Sequence, residues 1–223
     1  MKWRCLAALP LPPKKTVDEQ VATQAQFLQE KLEPTLAQAE AGQGHVFFVD
    51  AAHFVMGSFL ACVWCWVRQF IRGGSGRKRY NVLGAWNPVG RQLVRITNAT
   101  VVNAETMGLL LRTIAGLGLV GPITLFLDNA RYQHCKQVMA LAQELGIRLE
   151  FLPSYSPNLN LIERLWKFVK KQVLYGRHYA TFADFQRAID DCLDKVPTDH
   201  QAELKTLMTT KFQTFDKVSF LAA

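Results

Sequence analysis

The hydrophobic positions fall into two kinds of block. Short apolar runs occupy residues 46–49, 123–127 and, interrupted by Arg148 and Glu150, 147–152, the first of them nearly continuous. Runs of this length, bounded by turn residues, read as strands buried on both faces. Aromatic and β-branched residues make 58–67 a second strand, 80–86 a third and 91–97 its hairpin partner across a turn at 87–90. That arrangement is a three-strand antiparallel meander following a first strand at 45–50, with 51–57 as the connecting turn. Elsewhere the apolar residues recur at helical spacing. Val21, Ala25, Phe27, Leu28, Leu32, Leu36 and Ala39 place a helix over 18–41, kinked or divided by Pro34 and stopped by Gly42 and Gly44. Further helices are expected at 103–116 (N-cap Asn103), 134–145, 160–175 and 181–195, where Thr181 and Asp184 form an S/T-x-x-D opening. The order predicts an α/β fold: a mixed sheet with helices on both faces. Residues 1–44 read as an irregular arm and linker-like helix, 45–196 as one domain, and 197–223 as a partly helical tail.

The apolar runs end on acids. The first ends on Asp50 and the run at 123–127 on Asp128, while Glu163 falls in the first turn of the helix that follows PSYSPNLN. The carboxyl edge of an open α/β sheet is where such folds build their sites. Three carboxylates there form an oxygen-rich site for a hard divalent cation and a phosphate substrate.

Charge sharpens this picture. The 223 residues carry a formal net charge of +8, with a sequence pI of about 9.4, which favours a polyanionic partner. Two stretches lack acids altogether: 68–95, with seven Arg or Lys, and 164–177, with five. The first includes Arg77, Lys78 and Arg79 at the end of a Gly/Ser-containing turn expected to be exposed and flexible. In the second, at about 100° per residue, Lys167, Lys170 and Lys171 surround Glu163 on one face of the helix. Leu165, Phe168, Val169 and Val173 occupy the other. A solvated face with a Glu–Lys pair would look the same; the fixed placement of Asp128, PSYSPNLN and Glu163 sets this helix apart.

The five cysteines (Cys5, Cys62, Cys65, Cys135 and Cys192) are scattered and odd in number, which fits a reducing compartment better than a disulfide framework. Cys62 and Cys65 read as small core residues of the strand at 58–67. No signal peptide is evident, and the longest uncharged apolar run, 54–67, is short for a bilayer span.

Four segments together resemble the catalytic domain of DDE transposases of the mariner superfamily, in its bacterial insertion-sequence branch. They are FVDAAHF around Asp50, NVLGAWNP, LFLDNARYQH around Asp128 and LPSYSPNLNLIERLWKFVK around Glu163. The 34 residues between Asp128 and Glu163 match that family's spacing. One departure is Leu161, where many relatives have proline. The resemblance implies an RNase H-like fold with Asp50, Asp128 and Glu163 as catalytic ligands of two Mg²⁺ ions, Mn²⁺ being able to substitute. It implies hydrolysis at transposon ends, then 3′-OH strand transfer into target DNA at TA sites, by a homodimer in the bacterial cytoplasm at the nucleoid. Arg77, Lys78, Arg79, Lys167, Lys170 and Lys171 are the expected DNA contacts, and Asn129 a candidate support for the site. Relatives carry a bipartite helix-turn-helix region ahead of this domain. Residues 1–44 are too few for it, so the chain reads as a second reading frame, a truncated copy or a shortened piece, the first of which implies a separately encoded helix-turn-helix partner.

Two rival readings remain. A catalytically idle DNA-binding remnant would keep the basic stretches, but it has no need of the acids. A phosphatase with a strand-end aspartate usually has a second acid two residues on, and here Asp50 is followed by Ala51 and Ala52.

Overall fold

The computed structural model describes residues 12, 15–57, 66–67, 70, 78–213 and 215. Among them, five strands form one mixed sheet: β1 (His45–Val55), β2 (Arg79–Asn87), β3 (Gln92–Asn98), β4 (Ile123–Leu127) and β5 (Ile147–Phe151). Their spatial order is β3-β2-β1-β4-β5, with β1, β2 and β3 antiparallel and β4 and β5 parallel to β1. The expected antiparallel meander is present, but β1 itself is its first strand. Of the strand expected at 58–67, residues 58–65, with Cys62 and Cys65, lie outside the described residues. Trp66 and Val67 form an exposed bend.

The first strand also differs from expectation. It continues through 51–55, which the apolar pattern assigned to a turn. The parallel ladder with β4 stops at the Val49–Leu127 pair, whereas the antiparallel ladder with β2 runs on to Val55–Arg79. Partners on β2 satisfy the backbone of 51–55, and nothing local to those residues announces them. Asp50 therefore sits within a strand, at the point where it loses its β4 neighbour.

Seven helices cover the sheet: α1 (Val17–Phe27), α2 (Glu33–Glu40), α3 (Ala104–Ala115), α4 (Lys136–Glu144), α5 (Ile162–Val173), α6 (Phe182–Asp194) and α7 (Gln201–Leu207). A π-helical turn, Leu28–Leu32, joins α1 to α2 immediately ahead of Pro34. Proline cannot donate to the preceding turn, and the wider turn accommodates it. The caps form as expected. Asn103 Oδ1 accepts from the Thr106 N–H at 3.0 Å, and Thr181 Oγ1 from the Asp184 N–H at 3.1 Å. Among the described residues no helix is long and apolar enough to cross a membrane.

Alternation along the strands makes two cores. Val46, Phe48, Ala52 and Phe54 of β1 join one core with α2, α5 and α6, while Phe47 and Val49 join the other with α3 and α4. Successive strand residues point to opposite faces. Asp50 therefore shares the face of Phe48 and Ala52, and Asp128 follows from Phe126 on the same side.

Helix α5 lies against this face over a bare stretch of backbone. Gly84 pairs with Asp50 across β1 and β2, and a Cβ there would stand 2.7 Å from Trp166 Cη2 and 3.1 Å from Ile162 Cδ1. Trp166 and Ile162 are both fully buried, so neither can swing into solvent. Gly84→Ala should destabilise the fold by about 1–3 kcal/mol through overpacking, read as a lower urea midpoint with an unchanged slope. An unchanged midpoint would show that the helix does not depend on this approach.

Candidate functional site

Asp50, Asp128 and Glu163 converge. One carboxylate oxygen from each lies within 4.8 Å of the others, and all three side chains are half-buried. Three elements bring them together. Asp50 stands where β4 leaves β1, Asp128 is the first residue after β4, and Glu163 is in the first turn of α5. A helix N-terminus favours an acid, but it offsets only part of the cost of this grouping.

The cost appears in the acidities. Burial, then the charges of Asp128 and Glu163, push the Asp50 carboxyl up to about 8. Asp128 is raised by burial, with a hydrogen bond from Asn160 pulling the other way. Glu163 is raised by burial and by Asp128, and Lys170 and Lys167 partly counter this. Tyr132 stands close enough to feel the same field. Burial and the Asp50 charge push its phenol to about 12.

The site is held from behind by amides. Asn160, almost fully buried, donates from Nδ2 to Asp128 Oδ1 and to the Val49 carbonyl, both at 3.2 Å. The Glu163 N–H donates to the Asn160 carbonyl at 3.2 Å. One asparagine thus links the end of the parallel β1–β4 ladder to the start of α5. The loop before it contains Tyr155 at φ +58°, a left-handed conformation strained for tyrosine. Gln20 of α1 braces that loop, donating from Nε2 to the Ser154 carbonyl at 2.9 Å and to the Tyr155 carbonyl at 3.3 Å.

Asn129 supports the loop, not a carboxylate. Its Nδ2 donates to the Leu152 carbonyl at 2.5 Å, and its Oδ1 accepts from His134 Nε2 at 3.0 Å. The His134 ring stacks on Phe151 at 3.7 Å between centroids. His53 donates from Nδ1 to Asn81 Oδ1 at 2.7 Å.

The basic residues divide. Lys167 and Lys171 are exposed on α5, and Lys170 is half-buried nearer Glu163. Arg164 points elsewhere, donating to the carbonyls of Leu207, Thr209 and Lys211 at 3.3, 2.9 and 2.7 Å. Arg77 lies outside the described residues. Lys78 and Arg79 are not part of a free turn: Arg79 opens β2, and Lys78 Nζ sits 5.7 Å from the Phe182 ring centre. The periodicity of 80–86 begins one residue too late to reveal the first, and the second is a tertiary contact.

Asn160 and Trp166 were not singled out by sequence reasoning. A buried amide inside PSYSPNLN reads locally as a turn former. Trp166 reads as part of the apolar helix face.

The donor set fits a hard divalent cation. All three groups offer carboxylate oxygens, which suit Mg²⁺ or Mn²⁺, and their mutual repulsion is what a cation would relieve.

A family described as DDE superfamily endonuclease matches residues 68–186, more than half of the chain. No curated protein sequence matches significantly. Solved structures are similar as well, among them three of a mariner transposase. The Mos1 transposase paired-end complex with left transposon end aligns with a TM-score of 0.57 at 13% identity, over 94% of this chain and 68% of that one. The Mos1 mariner paired-end complex with Mn gives 0.56 at 12%, over 94% and 68%. The catalytic domain of Mos1 mariner transposase gives 0.56 at 13%, over 82% and 85%. At such identities the likeness is one of fold.

The raised pKa values set a pH dependence. A folded-state pKa above the unfolded value of 3.8 contributes stability below about pH 4, and that contribution is lost as the pH rises through about 8. In chelator, the melting temperature should therefore fall from pH 5 to pH 8. Asp50→Asn should raise it at pH 8 by roughly 4–8 °C, equivalent to about 2 kcal/mol for a chain of this size. A flat profile, or no gain from the amide, would show that the three charges are not crowded.

Proposed function

The chain belongs to the DDE superfamily of endonucleases, and from that premise we propose that it is the catalytic portion of a DNA transposase. The observation that carries this reading is the convergence of Asp50, Asp128 and Glu163 at one point of an RNase H-like sheet. In this reading the chain cleaves phosphodiester bonds at the ends of a mobile element and joins the freed 3′-OH to target DNA at TA dinucleotides.

Asp50, Asp128 and Glu163 would hold two Mg²⁺ ions, with Mn²⁺ able to substitute. Such ions supply activation of the attacking oxygen and charge neutralisation at the leaving oxygen. The chain's own residues do the rest. Asn160 fixes one oxygen of Asp128, leaving the other free to face substrate or cation. Asn129 and His134 pin the loop after β4 so that Asp128 cannot drift from Asp50. Exposed Lys167 and Lys171 flank Glu163 and can meet the phosphates on either side of the scissile bond, with Lys170 nearer the carboxylate. Lys78 and Arg79 extend the basic surface at the start of β2, and Arg77 belongs to the same proposed set of DNA contacts.

Support for a DNA partner comes from the +8 net charge and from relatives whose complexes contain transposon-end DNA. The proposal includes a homodimer acting in the bacterial cytoplasm at the nucleoid. It also includes a separately encoded helix-turn-helix protein supplying end recognition.

A nicking assay tests the reading. Wild-type protein should cleave supercoiled or end-containing DNA with Mg²⁺ or Mn²⁺ and fail in excess chelator. Asp128→Asn should fold normally and lose cleavage by at least about a hundredfold, since changes to the outer partners of metal ligands alone cost about 10–100-fold at such sites. DNA binding with no metal-dependent nicking by the wild type would instead make the chain an idle remnant.

The lysine face has its own test. Lys167→Ala with Lys171→Ala should weaken duplex binding regardless of sequence. Removing one phosphate contact should flatten the dependence of log K on log salt by about 0.9. An unaltered slope would remove α5 from the DNA interface.

A further inference from the structure

Trp166 packs beside the carboxylates, and the proposed chemistry leaves it without a role. It is 1% exposed, and its indole N–H has no hydrogen-bond partner. A buried donor left unmade costs the fold its desolvation. The Asp50 carboxylate is the neighbouring acceptor: Asp50 pairs with Gly84, against which the indole packs, and the N–H bears on the carboxylate without closing a hydrogen bond. The ring's position is forced. Gly84, opposite Asp50 in the sheet, leaves room for the indole against bare backbone, with Cη2 and Cζ2 2.7 and 2.8 Å from where a Cβ would be. Trp166 also lies one helical turn beyond Glu163, on the same side of α5. The packing that seats the helix on the sheet thus aims a neutral N–H at one carboxylate and places another beside it.

We propose that Trp166 is a positioning residue, whose indole N–H, unpartnered without a cation, closes on the Asp50 carboxylate when a cation is bound and fixes its orientation, on a shelf kept open by Gly84. This rests on the metal-site reading of the three acids. A neutral donor suits that role because it orients one oxygen of Asp50 without competing for the charge that a cation needs. A lysine there would neutralise the site, and a phenylalanine would fill the shelf without orienting anything.

The test is Mn²⁺ binding to the whole chain, followed by electron paramagnetic resonance of the free ion, with no DNA present. Trp166→Phe should fold and bind Mn²⁺ about 10–100-fold more weakly, the range for losing an outer partner of a metal ligand. Replacing the indole by 3-benzothienylalanine keeps the bicyclic shape without the N–H. It should give the same loss and decides the question if the phenylalanine variant folds poorly. Trp86 is the control. Its indole N–H is also buried and unpartnered, but it sits opposite Phe48, so Trp86→Phe should leave Mn²⁺ affinity within about twofold. In an Asp50→Asn background, Trp166→Phe should add no further loss. Wild-type-like Mn²⁺ binding by the benzothienyl variant would overturn the proposal and leave the metal-site reading standing. No Mn²⁺ binding by the wild type would overturn both.

Discussion

Like-charge repulsion is the constraint that organises this molecule. Three carboxylates brought within 4.8 Å, half out of water, would separate or take up protons if the scaffold let them. The scaffold holds them. Asp50 is fixed by ladder partners on β2, Asp128 by the end of β4 and by Asn160, and Glu163 by the seating of α5. Each support is a packed or hydrogen-bonded contact remote in sequence. The site therefore exists only in the completed fold, and it stores an electrostatic cost that a cation would release.

The same geometry suits the proposed polyanionic partner. Helix α5 buries one face in the core and turns Lys167 and Lys171 outward, with Glu163 at the boundary. Lys170 and Lys167 favour the ionised glutamate, and the exposed lysines put positive charge on the side from which, in the proposed function, a phosphate backbone would approach. Arg164 is withdrawn from that face, because its guanidinium ties down the carbonyl of Leu207 at the end of α7 and those of Thr209 and Lys211 beyond it. Neighbouring basic residues on one helix thus divide between binding surface and architecture.

Much of this was legible in the sequence, and the rest was hidden for physical reasons. The apolar run at 123–127 gave β4, because a strand buried on both faces needs no partner pattern to be seen, and the run at 147–152 gave β5 although Arg148 leaves one side of it exposed. Asn103 and Thr181 announced their helices because capping is local. The wheel of α5 separated its faces correctly. What escaped depended on partners distant in the chain: the extension of β1 to Val55, the anchoring of Lys78 over Phe182, and the bridge made by Asn160. Gly84 carried a readable hint, since a glycine inside a strand pattern often marks close approach by another element. Only the fold shows that the element is Trp166.

The central claim is that the three carboxylates form one cation site, and anomalous scattering from crystals soaked in Mn²⁺ tests it most directly. The account predicts strong manganese peaks within coordination distance, about 2.0–2.3 Å, of oxygens from Asp50, Asp128 and Glu163 together, lost in Asp128→Asn crystals. Manganese bound elsewhere, with these carboxylates bare at saturating metal, would contradict it.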